Sequence, residues 1–380
     1  MKKALLIFLA CLLMTGLFGC ASQTEETPNT DTLPSDTVES ESETEETPVR
    51  ENTTVRICSS AENVLCFGER ESANESYLEC SNPGSGFEMK LQTEGGTVGI
   101  RITASESCDF RIWLDGTEQT SADGSAYFTV LGNRLIELTD VADGAHTLRV
   151  IRISETAADV KIYAVTFLGE QLALDTTGRL FVEFLGDGMT AGESLGDGRD
   201  DITKAYSYLA ADLFGADRAI TGYRNAGIAK TLDLYGTAGD FSRRADMVVL
   251  NIGAYDLGNG VDAGTFAEKY GELLISIKKL NGSQCKIVCV INFANAEYAQ
   301  AVRDACERIG GETYGYYCYE SGLQTDGSLT PDQHEALAEG VAAYLSEIET
   351  AVVEDMMLKS EESGTGDNIG LKSDEWETLN

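Results

Sequence analysis

Few residues in this chain combine a reactive type with a suggestive spacing. There are only two histidines, His146 and His334, and no CxxC pair, which argues against a zinc site, so neither metal nor cofactor is expected. Beyond Cys11 and Cys20, the cysteines divide evenly, with Cys58, Cys66, Cys80 and Cys108 in the first half and Cys285, Cys289, Cys306 and Cys318 in the second. An even count per half permits disulfides without fixing a pairing. Cys285 and Cys289 share one face of a strand-like run but stand too far apart along it to bond each other, and most of these thiols read as small buried apolar groups. Two carboxylates, Asp187 and Asp256, each follow an apolar strand-like run, where a carboxylate commonly satisfies loop amides, and that structural role is the favoured one.

Those carboxylates belong to the second of two rhythms. Between about Thr53 and Leu174 come short β-prone runs: Thr97–Thr103, Phe110–Asp115, Ala126–Leu131, Leu135–Leu138, Thr147–Ile153 and Val160–Leu168. Gly95-Gly96, Asp115-Gly116, Asp123-Gly124 and Asp143-Gly144 sit where hairpin turns belong. Strands without intervening helices predict a β-sandwich. After Leu174, runs at Leu180–Leu185, Met247–Ile252, Lys286–Phe293 and Thr313–Tyr319 alternate with amphipathic segments. Phe266, Tyr270, Leu273, Leu274, Ile277 and Leu280 mark one helical face, and Leu337, Val341, Leu345 and Ile348 another. This alternation predicts a parallel sheet covered on both faces, with ligands at the carboxyl ends of its strands.

The first of those ends reads Gly186-Asp187-Gly188-Met189-Thr190-Ala191-Gly192, and here the chain resembles the SGNH (GDSL-type) hydrolases, whose first strand ends in Gly-Asp-Ser with the serine as nucleophile. Arg224-Asn225-Ala226-Gly227-Ile228-Ala229 resembles the block whose glycine amide helps form the oxyanion hole. Val248 to Asp256 resembles the third block, normally Gly-Thr-Asn-Asp. Thr330 to Ala338 resembles the start of the terminal helix. Upstream, Asp143 to Glu155 is similar to the N-terminal sandwich of family 2 carbohydrate esterases, two-domain SGNH-type deacetylases of plant polysaccharides, and Asp201 to Tyr206 shares that family's character. The resemblance spans about residues 53 to 352. It implies a jelly-roll-like β-sandwich over 53–175, then an α/β/α flavodoxin-like SGNH domain over 176–353.

The departures matter as much. Acyl transfer of this kind needs an oxygen nucleophile, a base and donors aimed at the oxyanion. Gly188 stands at the serine position and Tyr255 at the oxyanion asparagine. The family's spacing puts the catalytic histidine at Ser328, or at Leu329 with a one-residue deletion. No intact catalytic residue is therefore expected, with Gly188, Tyr255 and Ser328 as eroded positions. The candidate ligand cleft is Asp187, Gly188, Gly227, Tyr255, Asp256 and Ser328. His334 matches the family's second, helix-borne histidine and reads as structural, as does His146 in a turn of the first half. Trp113, Tyr223, Tyr235, Tyr255 and Tyr298 could stack on sugars, though each is more simply core.

The front end gives an address. Met1-Lys2-Lys3, an apolar stretch from Ala4 to Phe18 and Leu17-Phe18-Gly19-Cys20 read as a signal peptide over residues 1–19, and the last four residues resemble a bacterial lipobox. Cys20 would carry the acyl anchor to the bilayer on the outer face of the cell membrane. Residues 20–52 and 354–380, polar and acidic, are expected to be a disordered tether and tail. A formal net charge of −35 excludes nucleic acid, whose backbone requires Lys/Arg clusters. The resemblance to family 2 carbohydrate esterases implies a polysaccharide or oligosaccharide as partner, with protein partners left open. The leading reading is a glycan-binding lipoprotein on a disarmed esterase scaffold. The alternatives are an acetyl esterase rebuilt around Ser194, Ser207 or Ser328 with His334 as base, and a structural or protein-binding component of a surface assembly.

Overall fold

The computed structural model describes residues 51–362, apart from 69–74, 157, 176–178, 197, 238–242 and 326–327. The signal peptide, Cys20, nearly all of the tether and the end of the tail lie outside the described residues.

The first half is one eight-stranded, antiparallel sheet: β1 (Thr53–Arg56), β2 (Val64–Phe67), β3 (Leu78–Glu79), β4 (Gly86–Leu114), β5 (Thr117–Glu118), β6 (Phe128–Arg152), β7 (Val160–Phe167) and β8 (Gly169–Leu172). β4 and β6 run for 29 and 25 residues, far beyond the usual ~5–6, and they do so by bending. Gly86–Glu94 pairs with Asp143–Ile151, Val98–Ala104 pairs with Gly132–Leu138 and with β7, and Arg111–Leu114 returns to the other side of Leu148–Ile151. Alternation puts Phe87, Met89, Leu91, Ile100, Ile102, Phe110 and Ile112 into the core.

Two expectations change here. Gly95-Gly96 and Asp143-Gly144 are not hairpin turns; they face each other across the ladder, and the positive φ of Gly95, Gly96 and Gly144 bends both strands together. His146 is not in a turn either, but in β6 opposite Leu91. Asp115-Gly116 does make the β4–β5 turn, both residues at positive φ.

The second half is a five-stranded parallel sheet of β9 (Phe181–Gly186), β10 (Asp217–Gly222), β11 (Met247–Asn251), β12 (Lys286–Phe293) and β13 (Tyr316–Thr325), in the order β10-β9-β11-β12-β13. Its helices are α1 (Gly188–Ala191), α2 (Tyr206–Phe214), α3 (Ile228–Thr237), α4 (Ala254–Gly258), α5 (Ala263–Asn281), α6 (Ala296–Arg308) and α7 (Pro331–Glu362). Leu337, Val341 and Leu345 of α7 cluster with Tyr206 and Ala210 of α2 over Val182, Phe184 and Val249 on one face of the sheet. Phe266, Tyr270, Leu273, Leu274 and Ile277 of α5 do the same on the other face, with Val302 of α6. α7 continues beyond residue 353 to Glu362. Thr313 and Tyr314, expected at the start of the last strand, instead lie in a 3₁₀ turn that ends at Gly315, in the left-handed conformation.

Strand order reverses between β9 and β11, the position where doubly wound sheets open a crevice at their carboxyl ends. Leu65, Phe67, Ile151 and Ile153 of the antiparallel half join the apolar cluster of Ile202, Ala210 and Ile220 in the parallel half.

Candidate functional site

β9 and β11 deliver their carboxyl ends to this crevice. Asp187 leaves β9 in an extended conformation and caps α1, its Oδ1 accepting from the Met189 amide at 3.2 Å. The residue is 4 % exposed, and Oδ2 is buried with no partner in hydrogen-bond geometry. Burial pushes its carboxyl up to about 7; the Met189 and Ala254 amides oppose the shift, and the neighbouring charges of Asp256 and Glu193 add to it.

Gly188 opens α1 and is buried. A β-carbon there would collide with Oε2 of Glu193 and lie 3.2 Å from its Cδ and 3.3 Å from its Cβ. The Glu193 side chain thus fills the space that a serine side chain would need. Left-handed Gly192 turns the chain just after α1 and brings Glu193 back, its amide donating to the Gly188 carbonyl at 2.9 Å. Glu193 Oε1 pairs with Arg224 Nη1 at 3.3 Å, and Arg224 Nη2 pairs with Asp200 Oδ1 at 2.6 Å. The Arg224 amide donates to Glu155 Oε2 of the antiparallel half at 2.8 Å. Arg224, Tyr223, Asp200, Glu155 and Asn82 line a cavity of about 370 Å³ beside this latch.

On the β11 side, Asp256 is buried in α4, and its carboxylate takes the Ile228 amide at 2.9 Å, capping the start of α3. Burial raises its pKa against the pull of that amide and Lys269. Gly227 lies beneath: a β-carbon there would sit 2.8 Å from Asp256 Oδ1 and 3.1 Å from the Tyr255 ring. A side chain at 227 would have to displace the Asp256 carboxylate and the Tyr255 ring. Tyr255 is 39 % exposed.

The loops after β9, β10 and β11 bring five of the six expected cleft residues together: Asp187 and Gly188 follow β9, Gly227 follows β10, and Tyr255 and Asp256 follow β11. Ser328 is exposed beyond β13, and its hydrogen bonds are with Thr325. Glu193 and its Arg224–Asp200 clamp escaped the sequence reading. The signal available was a carboxylate five residues after a side-chain-free position, with a glycine between them.

His334 is only 2 % exposed. Its Nδ1 accepts from the Tyr206 amide at 3.1 Å, and its ring stacks on Tyr206 with centroids 6.2 Å apart. Burial lowers its pKa to about 4, and an accepting Nδ1 requires the neutral ring. Tyr206 shares a 3.0 Å hydrogen bond with Thr190 of α1, and the Ser207 hydroxyl donates to the Thr190 carbonyl at 2.7 Å. His334 therefore helps hold a buried shelf under α1. His146 pairs with Asp115 at 2.6 Å; burial opposes its charge, but that carboxylate and the Ala142 carbonyl outweigh it and raise its pKa.

Of the aromatic candidates, Tyr235 and Tyr298 are core, Tyr235 donating to Glu183 and Tyr298 stacking on Phe266 at 4.5 Å. Trp113 and Tyr223 are half-buried; the Tyr223 hydroxyl donates to Asn82 Oδ1 at 3.2 Å. Among the described residues, no group of three or more His, Cys, Asp or Glu is arranged to hold a metal ion.

No family model matches the chain, and no curated protein matches it by sequence. Solved structures do match. A family two carbohydrate esterase from Clostridium thermocellum, in complex with cellohexaose, is 18% identical with a TM-score of 0.63 over 75% of this chain and 98% of that one. The family two carbohydrate esterase from Cellvibrio japonicus is 18% identical at 0.64, over 78% and 98%. An acetyl xylan esterase from the rumen bacterium Butyrivibrio proteoclasticus is 13% identical at 0.64, again over 78% and 98%. In fold, the chain is similar to these family two carbohydrate esterases.

Proposed function

We propose that this chain, built on a family 2 carbohydrate esterase fold, binds a polysaccharide or oligosaccharide in the crevice between β9 and β11 without cleaving esters. The observation that carries this reading is the pair Gly188 and Glu193: the nucleophile's position has no side chain of its own, and a carboxylate held by Arg224 fills the space. Loss of the serine alone costs a serine hydrolase roughly 10⁶-fold in turnover. His334 offers no replacement base, since its Nδ1 is engaged with the Tyr206 amide and its ring resists protonation. Ser207 is fully buried and donates to a backbone carbonyl, which weighs against it as a rebuilt nucleophile.

Support for a glycan comes from the exposed Tyr255 ring, the half-buried Tyr223 ring with its polar surround, and the cellohexaose held by the Clostridium structure. An aromatic face ringed by planar polar side chains suits a pyranose, whose axial hydrogens are apolar and whose hydroxyls are not. We further read the bent antiparallel sheet as a jelly-roll-like sandwich. Residues 1–52 are read as a signal peptide and an acylated Cys20 on an acidic tether, placing the crevice at the outer surface of a bacterial cell.

The test sets glycan binding beside ester hydrolysis on the purified chain. Tyr255→Ala is expected to lose binding on a plant and bacterial glycan array while p-nitrophenyl acetate and acetylated xylan stay intact. Acetate release by the wild type that vanishes in His334→Ala would overturn the proposal in favour of a working esterase.

A further inference from the structure

Three cysteines converge away from the crevice, between the parallel sheet and one of its covering helices. Cys289 lies in the middle of β12 and Cys306 in the last turn of α6, both buried. Their Sγ atoms are 3.4 Å apart. Cys318 of β13 is the register partner of Cys289 and is half-buried. It also stands close enough to exchange a thiol hydrogen bond with Cys306, whose pKa is raised first by the Cys289 contact and then by burial. The Tyr270 hydroxyl from α5 completes the cluster. A contact of 3.4 Å between two sulfurs becomes a bond of about 2.0 Å with small side-chain rotations.

We propose that Cys289 and Cys306 are a disulfide site, oxidised during folding by a protein or small-molecule disulfide, with Cys318 left as the third, unbridged thiol. The Cys306 thiolate attacks one sulfur of the oxidant and expels the other as a thiolate. The Cys289 thiolate then attacks Cys306 sulfur in that mixed disulfide and releases the second half. One oxidant disulfide is reduced to two thiols, which take up the two protons that the cysteines lose. The exchange belongs to folding and not to the finished protein, because both sulfurs are buried out of reach of an oxidant once the helix is docked. The bridge ties α6 to the centre of the sheet, a constraint that neither partner's own element supplies.

The experiment uses the full chain, refolded from denaturant in a mixture of oxidised and reduced glutathione, alkylated under denaturing conditions and mapped by mass spectrometry without reduction. The expected result is a linked Cys289–Cys306 peptide pair, with Cys318 alkylated. In a Cys289→Ser chain the link is expected to move to Cys306–Cys318. Complete alkylation of Cys289 and Cys306 in the refolded wild type, or Cys306 linked to a cysteine outside this cluster, would overturn the proposal; the wild-type map decides this even if the variant fails to fold.

Discussion

The rim of the crevice and the shelf beneath it meet at the segment from Thr190 to Glu193 yet differ in exposure and in the kind of bond that holds them. At the rim, Glu193 and Arg224 are substantially exposed and meet through a single 3.3 Å ion pair. On the shelf, Thr190, Tyr206, Ser207 and His334 are buried, and they are linked to one another by short neutral hydrogen bonds. Stability resides below, and the groups that would meet a ligand are above. A scaffold can therefore hold its strand ends in place whichever side chain stands at position 188. Asp187 belongs to both layers, since it caps the helix that roofs the shelf and feels the rim carboxylates.

The largest effect should come from the shelf. His334→Ala opens a cavity and strands the Tyr206 amide, for an expected loss of about 3 kcal/mol in urea denaturation; a loss below about 1 kcal/mol would erase the distinction between layers. The second effect is on pH. The His334 pKa is about 4 when folded against 6.5 unfolded, so between these values the unfolded chain binds the extra proton, and this contribution to stability falls as pH drops through the window. Asp187, at about 7 folded against 3.8 unfolded, has the opposite sign: its burial favours the folded state at low pH, and that advantage is lost as pH rises from 3.8 to 7. Asp187→Asn should therefore gain on the order of 1–2 kcal/mol at pH 8 relative to the wild type and little at pH 4. An equal shift at both pH values would mean that Asp187 does not titrate as a buried acid.

Rim substitutions should cost less. Gly188→Ser forces its β-carbon against the Glu193 carboxylate and should cost about 1 kcal/mol, recovered when Glu193→Ala is added. Additive losses in the double variant would show that Glu193 does not fill the site in solution. Arg224→Gln, at an exposed pair, should change stability by under about 0.5 kcal/mol, and a thermal scan showing a much larger loss would place the latch among the structural elements.

The legible parts of the chain were those whose pattern is local. Leu180–Leu185, Met247–Ile252 and Lys286–Phe293 are nearly continuous apolar runs, as a doubly covered parallel sheet requires, and each overlies an observed strand. The Phe266 to Ile277 stripe lies on α5, as its 3.6-residue spacing implies. β10 went unread because Asp217-Arg218-Ala219-Ile220-Thr221-Gly222 carries two charges. Those charges are neutralised only by distant partners: Arg218 pairs with Asp212 and is sandwiched between the Phe67 and Tyr208 rings, and Asp217 pairs with Arg243. β4 and β6 looked like several strands because glycine marks a bend as readily as a turn. At the site, Asp187, Gly188, Tyr255 and Asp256 were found at the ends of legible strands, and Gly227, which follows the unread β10, only through the resemblance of the Arg224 to Ala229 block. Glu193 was not, because a left-handed glycine, and not a helical or strand period, returns it to the strand end.

The central claim, a glycan crevice without ester-cleaving chemistry, is tested most directly by proton NMR of an acetylated xylo-oligosaccharide mixed with the purified chain. One spectrum series reports both saturation transfer to the bound sugar and any free acetate. The account predicts saturation transfer that disappears in Tyr255→Ala, with the acetyl signals constant over a day. Accumulating acetate with the wild type, abolished by His334→Ala, would contradict it.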